Sequence, residues 1–141
     1  MAELIFETGL KRYKVNGGEE ISFNPADMAF VKRLYTAFDD LSAEQDSISN
    51  PEEMEGHKLF ELVEQKDAAM RQKIDAAFGS PVCEKVFGSM SVYALAGGLP
   101  LWCNFLLAVI DEIDATVTEE QKAARPKVEK YMAKYAKYQK K

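Results

Sequence analysis

The chain has 141 residues, enough for one domain with a substantial core and too few for two large ones. Apolar residues make up 47% and charged residues 29%, a balance that excludes wholesale disorder. The net charge is −5 and the pI about 5.0, which weighs against a protein that coats nucleic acid, and the single histidine leaves little material for histidine-based metal sites.

Met1-Ala2-Glu3 lacks a positive region followed by a long apolar run, so no signal peptide is expected. Residues 3–8 (Glu3-Leu4-Ile5-Phe6-Glu7-Thr8) read as a short strand ending at Gly9. Tyr13 and Val15 alternate with Arg12 and Lys14, Asn16-Gly17-Gly18 supplies a turn, and Ile21 and Phe23 alternate with Glu20 and Ser22. That pattern predicts a β-hairpin with Tyr13, Val15, Ile21 and Phe23 on one face, to be covered by a helix. Asn24 as N-cap, Pro25 at the first helical position and Asp27 in the first turn announce a helix whose inner stripe is Phe30, Leu34, Phe38 and Leu41. Residues 42–50 read as a polar link.

Asn50-Pro51 opens a second, longer helix with Leu59, Val63, Met70, Ile74 and Phe78 inside. Gly79 and Pro81 end it. A short helix with Val82, Cys83, Val86 and Phe87 stops at Gly88, residues 90–96 read as another short helix, and Gly97-Gly98 break that one. Residues 86–110 carry no charge, but Gly97, Gly98 and Pro100 split them into pieces of about 16 Å, too short for a bilayer core of ~30 Å. From Pro100 a helix apolar on every side is expected at the centre of the fold, with Trp102, Phe105, Leu106, Val109 and Ile113 inside. Thr118 to Gln121 has capping-box spacing, and Arg125-Pro126 predicts an interruption.

Residues 127–141 differ in kind. Six lysines and one glutamate give +5 here, which leaves −10 on residues 1–126. Val128, Tyr131, Tyr135 and Tyr138 recur at three and four, with Lys127, Lys130, Lys134 and Lys137 as the complementary stripe. A helix near the ~12–15-residue limit of stability in water is expected to form only where its tyrosines find something to pack on. Lysine–tyrosine alternation can bind phosphates and stack bases. The acidic body opposes that over a Debye length of ~8–10 Å. Docking on protein, either its own domain or another chain's apolar groove, is therefore favoured over nucleic acid and over a membrane surface.

The inventory for catalysis is thin. Cys83 and Cys103 stand 20 residues apart with no ligand set around them and read as reduced core thiols. His57 has no nucleophile in a strained turn beside it. Asp39-Asp40 and Asp111-Glu112-Asp114 read as solvated helix surface, and the glycine pairs lack the pattern of a phosphate cradle. The expected fold class is mainly α with a small N-terminal antiparallel β-hairpin (α+β), a compact helical bundle around a central apolar helix. Residues 1–126 form a single globular domain, with residues 1–23 as the hairpin region and 24–126 helical, and residues 127–141 form a basic amphipathic tail.

This layout resembles the tail assembly chaperones of long, non-contractile-tailed bacteriophages and prophages. The points of similarity are the hairpin Lys11 to Phe23 leading into Asn24-Pro25-Ala26-Asp27, a long charged amphipathic helix, Phe78 to Pro81 before Cys83-Glu84-Lys85-Val86-Phe87-Gly88, and an apolar helix Leu101 to Ile113 ending in an acidic patch and a charged tail. The resemblance implies a non-enzymatic protein of the bacterial host cytoplasm, without cofactor or metal. It would coat a tape-measure client, help recruit tail-tube subunits, self-associate, and leave before the tail is complete. The family offers no catalytic residues to carry over. The spacing makes Tyr131, Tyr135 and Tyr138 the candidate anchors, with Lys134 and Lys137 at the rim. The competing expectations are a head–tail or minor tail component that stays in the particle, and a nucleic-acid accessory protein using the lysine–tyrosine tail.

Overall fold

The structure, a computed structural model, describes residues 1–46 and 56–139, without the side chains of Tyr131, Tyr135, Lys137, Tyr138 and Gln139. The fold is mainly helical, with a small antiparallel sheet near the N-terminus. Strands β1 (Lys11–Lys14) and β2 (Glu20–Phe23) pair in the register Lys11↔Phe23 and Lys14↔Glu20. The turn between them needs a left-handed backbone, which Asn16 (φ 50°) and Gly17 (φ 75°) supply. Ile21 and Phe23 are buried and Tyr13 and Val15 half-buried, on the single face that the alternation predicts. The third strand expected over residues 3–8 does not form. Residues 1–10 have no regular structure, because the hairpin closes on itself and no described segment pairs with them.

Helix α1 (Met28–Asp46) begins three residues later than the Asn24 signal suggests. Asn24 instead makes a local turn, its Oδ1 accepting from the Ala26 N–H at 2.8 Å, and Pro25 is fully buried in that turn. Asp27 is the true cap, with Oδ1 on the Ala29 N–H at 3.0 Å and its carbonyl on the Val31 N–H. At the other end α1 runs through residues 42–46, expected as link. Glu44 pairs there with Lys66, and Gln45 accepts from the Trp102 indole N–H at 3.0 Å, so tertiary contacts hold a stretch whose composition reads as loop.

Helix α2 spans Gly56–Phe78, and the Asn50-Pro51 start signal lies outside the described residues. Its end matches expectation. Gly79 takes φ 69°, its N–H bonds the Ala76 carbonyl, and the Ser80 N–H bonds that of Asp75, the paired bonds of a Schellman ending. Asp75 also reaches forward, accepting the Cys83 N–H at 2.9 Å and so capping α3 (Cys83–Phe87). Residues 90–96 are not helical. A turn leads into β3 (Leu95–Ala96), which pairs with β4 (Leu99–Pro100) across Gly97 (φ 62°) and Gly98 (φ 86°). Two consecutive glycines at positive φ favour a two-residue hairpin over a helix break. Two carbonyls of this loop accept the first N–H groups of the next helix, Val92 from Trp102 and Ala94 from Leu101.

Helix α4 (Leu101–Gln139) is 39 residues long and continues through Pro126, where an interruption was expected. Proline's φ suits a helix and it forfeits one backbone bond, so it weakens the helix there without ending it. Thr118 is no cap either. Its hydroxyl donates to the Asp114 carbonyl at 2.8 Å, one turn back inside the helix. Nor is α4 buried all round. Trp102, Leu106, Val109, Ile113 and Thr116 are buried, whereas Leu107 is exposed and Leu101, Cys103, Phe105 and Ile110 are half-exposed.

One core joins these parts. Tyr13 stacks on Phe23 at 4.6 Å between centroids, and Phe23 contacts Phe30 and Phe78 at 5.2 and 5.5 Å. Phe78 reaches Phe105 at 5.5 Å, and Phe105 reaches Phe87 at 5.7 Å. A continuous run of rings thus links the hairpin with all four helices. Leu34, Leu41, Met70, Ile74, Val92 and Leu106 fill the space around it with no exposed surface.

Candidate interaction surface

Three features of the surface stand out, and each follows from where packing stops. The first is the outer part of α4. Up to Val117 the helix touches the body, and from Thr118 every described side chain is exposed. At 1.5 Å per residue the projecting segment 118–139 is about 33 Å long. Val128 is 55% exposed and Met132 60% exposed, two apolar side chains one helical turn apart. The one ion pair described wholly within the segment, Arg125–Glu129 at 3.5 Å, is solvent-exposed and holds nothing but its own helix.

The three anchors and two rim lysines read from the sequence all fall in this segment. Lys134 is exposed. The side chains of Tyr131, Tyr135, Lys137 and Tyr138 lie outside the described residues, but their backbone is helical, so positions 128, 131, 135 and 138 share one side of α4 by register. The tail is helical as an unbroken extension of α4, which removes the cost of starting a new helix.

The second feature is the arm at residues 1–10. Leu4, Ile5 and Phe6 are 92%, 86% and 75% exposed. The arm is anchored at its base. Asn24 Nδ2 donates to the Thr8 carbonyl at 2.8 Å, and Gly9 takes φ 77°, where a Cβ would come within 2.7 Å of that amide nitrogen. Glu7 lies 3.9 Å from Lys127, so the arm leaves the hairpin toward the projecting part of α4.

The third is a groove of about 370 Å³ between the hairpin, α3 and the first turns of α4. Tyr13, Val15, Phe87, Phe105 and Ala108 line it, with Lys14 and Asn104 at polar positions. One polar cluster closes its side. Tyr13 donates to Glu112 Oε1 at 2.9 Å, Thr116 donates to the same oxygen at 3.3 Å, and Lys11 reaches the Thr116 hydroxyl at 3.4 Å. Burial, followed by the bond to Glu112, pushes the Tyr13 phenol well above its ordinary value.

The groups that could carry chemistry are scattered. His57 is exposed on the first turn of α2, 3.3 Å from Glu61. Cys83 is buried, and desolvation together with Asp75 keeps it a thiol by raising its pKa, while Cys103 is half-buried, with its pKa raised by desolvation. Asp39, Asp40, Asp111 and Asp114 are exposed. Among the described residues no three histidine, cysteine, aspartate or glutamate side chains gather where they could hold a metal ion, and no helix is long and apolar enough to cross a membrane.

Sequence reasoning missed the arm and the groove. The arm had a readable signal, an apolar Leu-Ile-Phe run flanked by glutamates beside a hairpin complete without it. The groove had none, because its walls come from three separate parts of the chain. Comparison with known proteins found no matching family model, no matching curated protein and no matching solved structure.

Proposed function

We propose that this chain is a non-catalytic binding protein that resembles the tail assembly chaperones of siphophages and prophages. In this reading it works in the bacterial cytoplasm, associates with itself, and engages a long helical tape-measure client and tail-tube subunits through the projecting part of α4. The observation that carries the reading is the 118–139 segment itself. A helix about 33 Å long that projects from the body with Val128 and Met132 exposed one turn apart offers a partner an apolar seat. The basic stretch on this helix and the −10 carried by residues 1–126 give copies complementary charges for weak, repeated contacts. The acid–base and nucleophilic groups fit the same reading by their positions: His57 is solvent-exposed with Glu61 at 3.3 Å, and Cys83 is buried in the core.

The gene's neighbourhood tests this reading. A very long helical-repeat gene immediately downstream is the expected result, and a neighbourhood without phage morphogenesis genes contradicts it. Mass spectrometry of purified particles separates the chaperone from a structural component that remains in the virion, since a chaperone is absent from the finished particle.

A further inference from the structure

The arm and the groove lie at opposite ends of the hairpin. β1 runs antiparallel to α4, with Lys11 beside Thr116 and Tyr13 beside Glu112 one turn back. The groove continues in that direction, past Val15 to Leu101 and Phe105 at the start of α4. The arm runs the other way, toward Lys127, about 16 Å beyond Thr116 along the helix. The Asn24–Thr8 bond and the left-handed turn at Gly9 hold it there. The arm of one chain therefore does not enter its own groove.

Arm and groove match in chemistry. In an extended arm Leu4 and Phe6 share one face, and Glu3, Ile5 and Glu7 the other. The sheet has only two strands, so the outer edge of β1 is open among the described residues. On β1 the half-buried Tyr13 faces the groove, with Val15 just beyond and Lys14 at its rim, and the exposed Arg12 faces solvent. An antiparallel strand added there with Phe6 opposite Tyr13 sets Leu4 opposite Val15 and Glu7 opposite Arg12, two large apolar side chains over the groove and one glutamate against a cation.

Resting on the self-association read above, we infer that residues 3–8 of one copy add as a third strand along β1 of a second copy, seating Leu4 and Phe6 in its groove. The contact is heterologous. Each copy offers an arm at one end and a groove at the other, so association builds open head-to-tail chains rather than closed dimers.

Sedimentation velocity on four samples tests this: the full chain, the Leu4→Asp/Phe6→Asp variant, the Ala108→Arg variant, and an equal mixture of the two variants. Leu4, Phe6 and Ala108 are exposed, so these changes leave the core intact. The full chain is expected to form a ladder of species above 15.8 kDa, and each variant alone to run as a single chain. The mixture restores one intact arm and one intact groove and is expected to stop at a pair. A ladder that persists in the Leu4→Asp/Phe6→Asp variant, or a mixture that stays single-chained, overturns the arm-to-groove contact while self-association stands. A full chain that runs as one copy at every concentration overturns the self-association reading itself.

Discussion

Tyr13 and Glu112 lie 99 residues apart in sequence and 2.9 Å apart in space, the phenol donating to the carboxylate. This bond ties the hairpin to α4. Tyr13→Phe removes the donor and keeps the ring on Phe23. A hydrogen bond to a charged acceptor contributes about 1.5–3 kcal/mol, and partial exposure of this one places the expected loss at about 1 kcal/mol in urea unfolding. A variant as stable as the parent contradicts the pinning role.

Stability should fall at both extremes of pH, for opposite reasons. Burial pushes the Tyr93 phenol from its ordinary 10.0 up to about 12, and burial likewise raises Tyr13 and Cys83. A group that holds its proton more tightly when folded contributes stability that is complete below its unfolded value and is lost as pH rises through the folded one. The alkaline decline therefore begins above pH 9, the ordinary cysteine value, and steepens between pH 10 and about 12. Glu44 has the opposite sign. The bond from Lys66 lowers its value, so its contribution is present above 4.5 and fades as pH falls below that. Thermal unfolding as a function of pH checks both limbs, with a plateau expected between them.

The loop before α4 is held by one ion pair. Asp67 Oδ1 accepts the Val92 N–H at 2.7 Å and Oδ2 pairs with Arg71 Nε at 3.0 Å. Arg71 in turn donates to the carbonyls of Gly88 and Met90. Asp67→Ala leaves Arg71 without its counterion and a backbone N–H without its acceptor, an expected cost of about 2–3 kcal/mol. Asp67→Asn keeps an acceptor for Val92 and is expected to cost about half as much. Equal losses in urea unfolding would mean that the charge, rather than the backbone acceptor, holds this loop.

Pro126 lies inside α4 and in the part of it that touches no body residue beyond the arm. Proline within a helix costs roughly 3 kcal/mol relative to alanine. Pro126→Ala is expected to raise far-UV helical ellipticity and slow amide exchange from residue 119 onward, with the unfolding midpoint of the body unchanged. A shifted midpoint would show that the outer helix is coupled to the core.

Local chemistry was legible in the sequence wherever a short motif decides the outcome alone. Asn16-Gly17 forces the hairpin turn, Gly79 ends α2, and the stripe Phe30, Leu34, Leu41 faces inward. The reading failed where distant contacts or their absence decide. Residues 42–46 look like a linker, yet Lys66 and Trp102 hold them helical. Residues 3–8 look like a strand, yet no described segment pairs with them as one. The apolar start of α4 looks buried on all sides, yet the described elements packed against it leave one side uncovered, where the groove lies open. At the candidate site the helical spacing around Val128 was legible. That the helix runs unbroken from the core was not, since Pro126 and Thr118 both read as punctuation.

The central claim is that the exposed side of the outer α4 segment binds a long helical polypeptide. Calorimetric titration of a long helical-repeat fragment of a siphophage tape-measure protein addresses it directly. Three forms are compared: the full chain, the Val128→Asp/Met132→Asp variant, and a chain ending at Val117. Binding by the full chain, weakened about tenfold or more in the variant and lost in the shortened chain, is the predicted result. Equal affinity in all three forms, or no binding by the full chain, would contradict it.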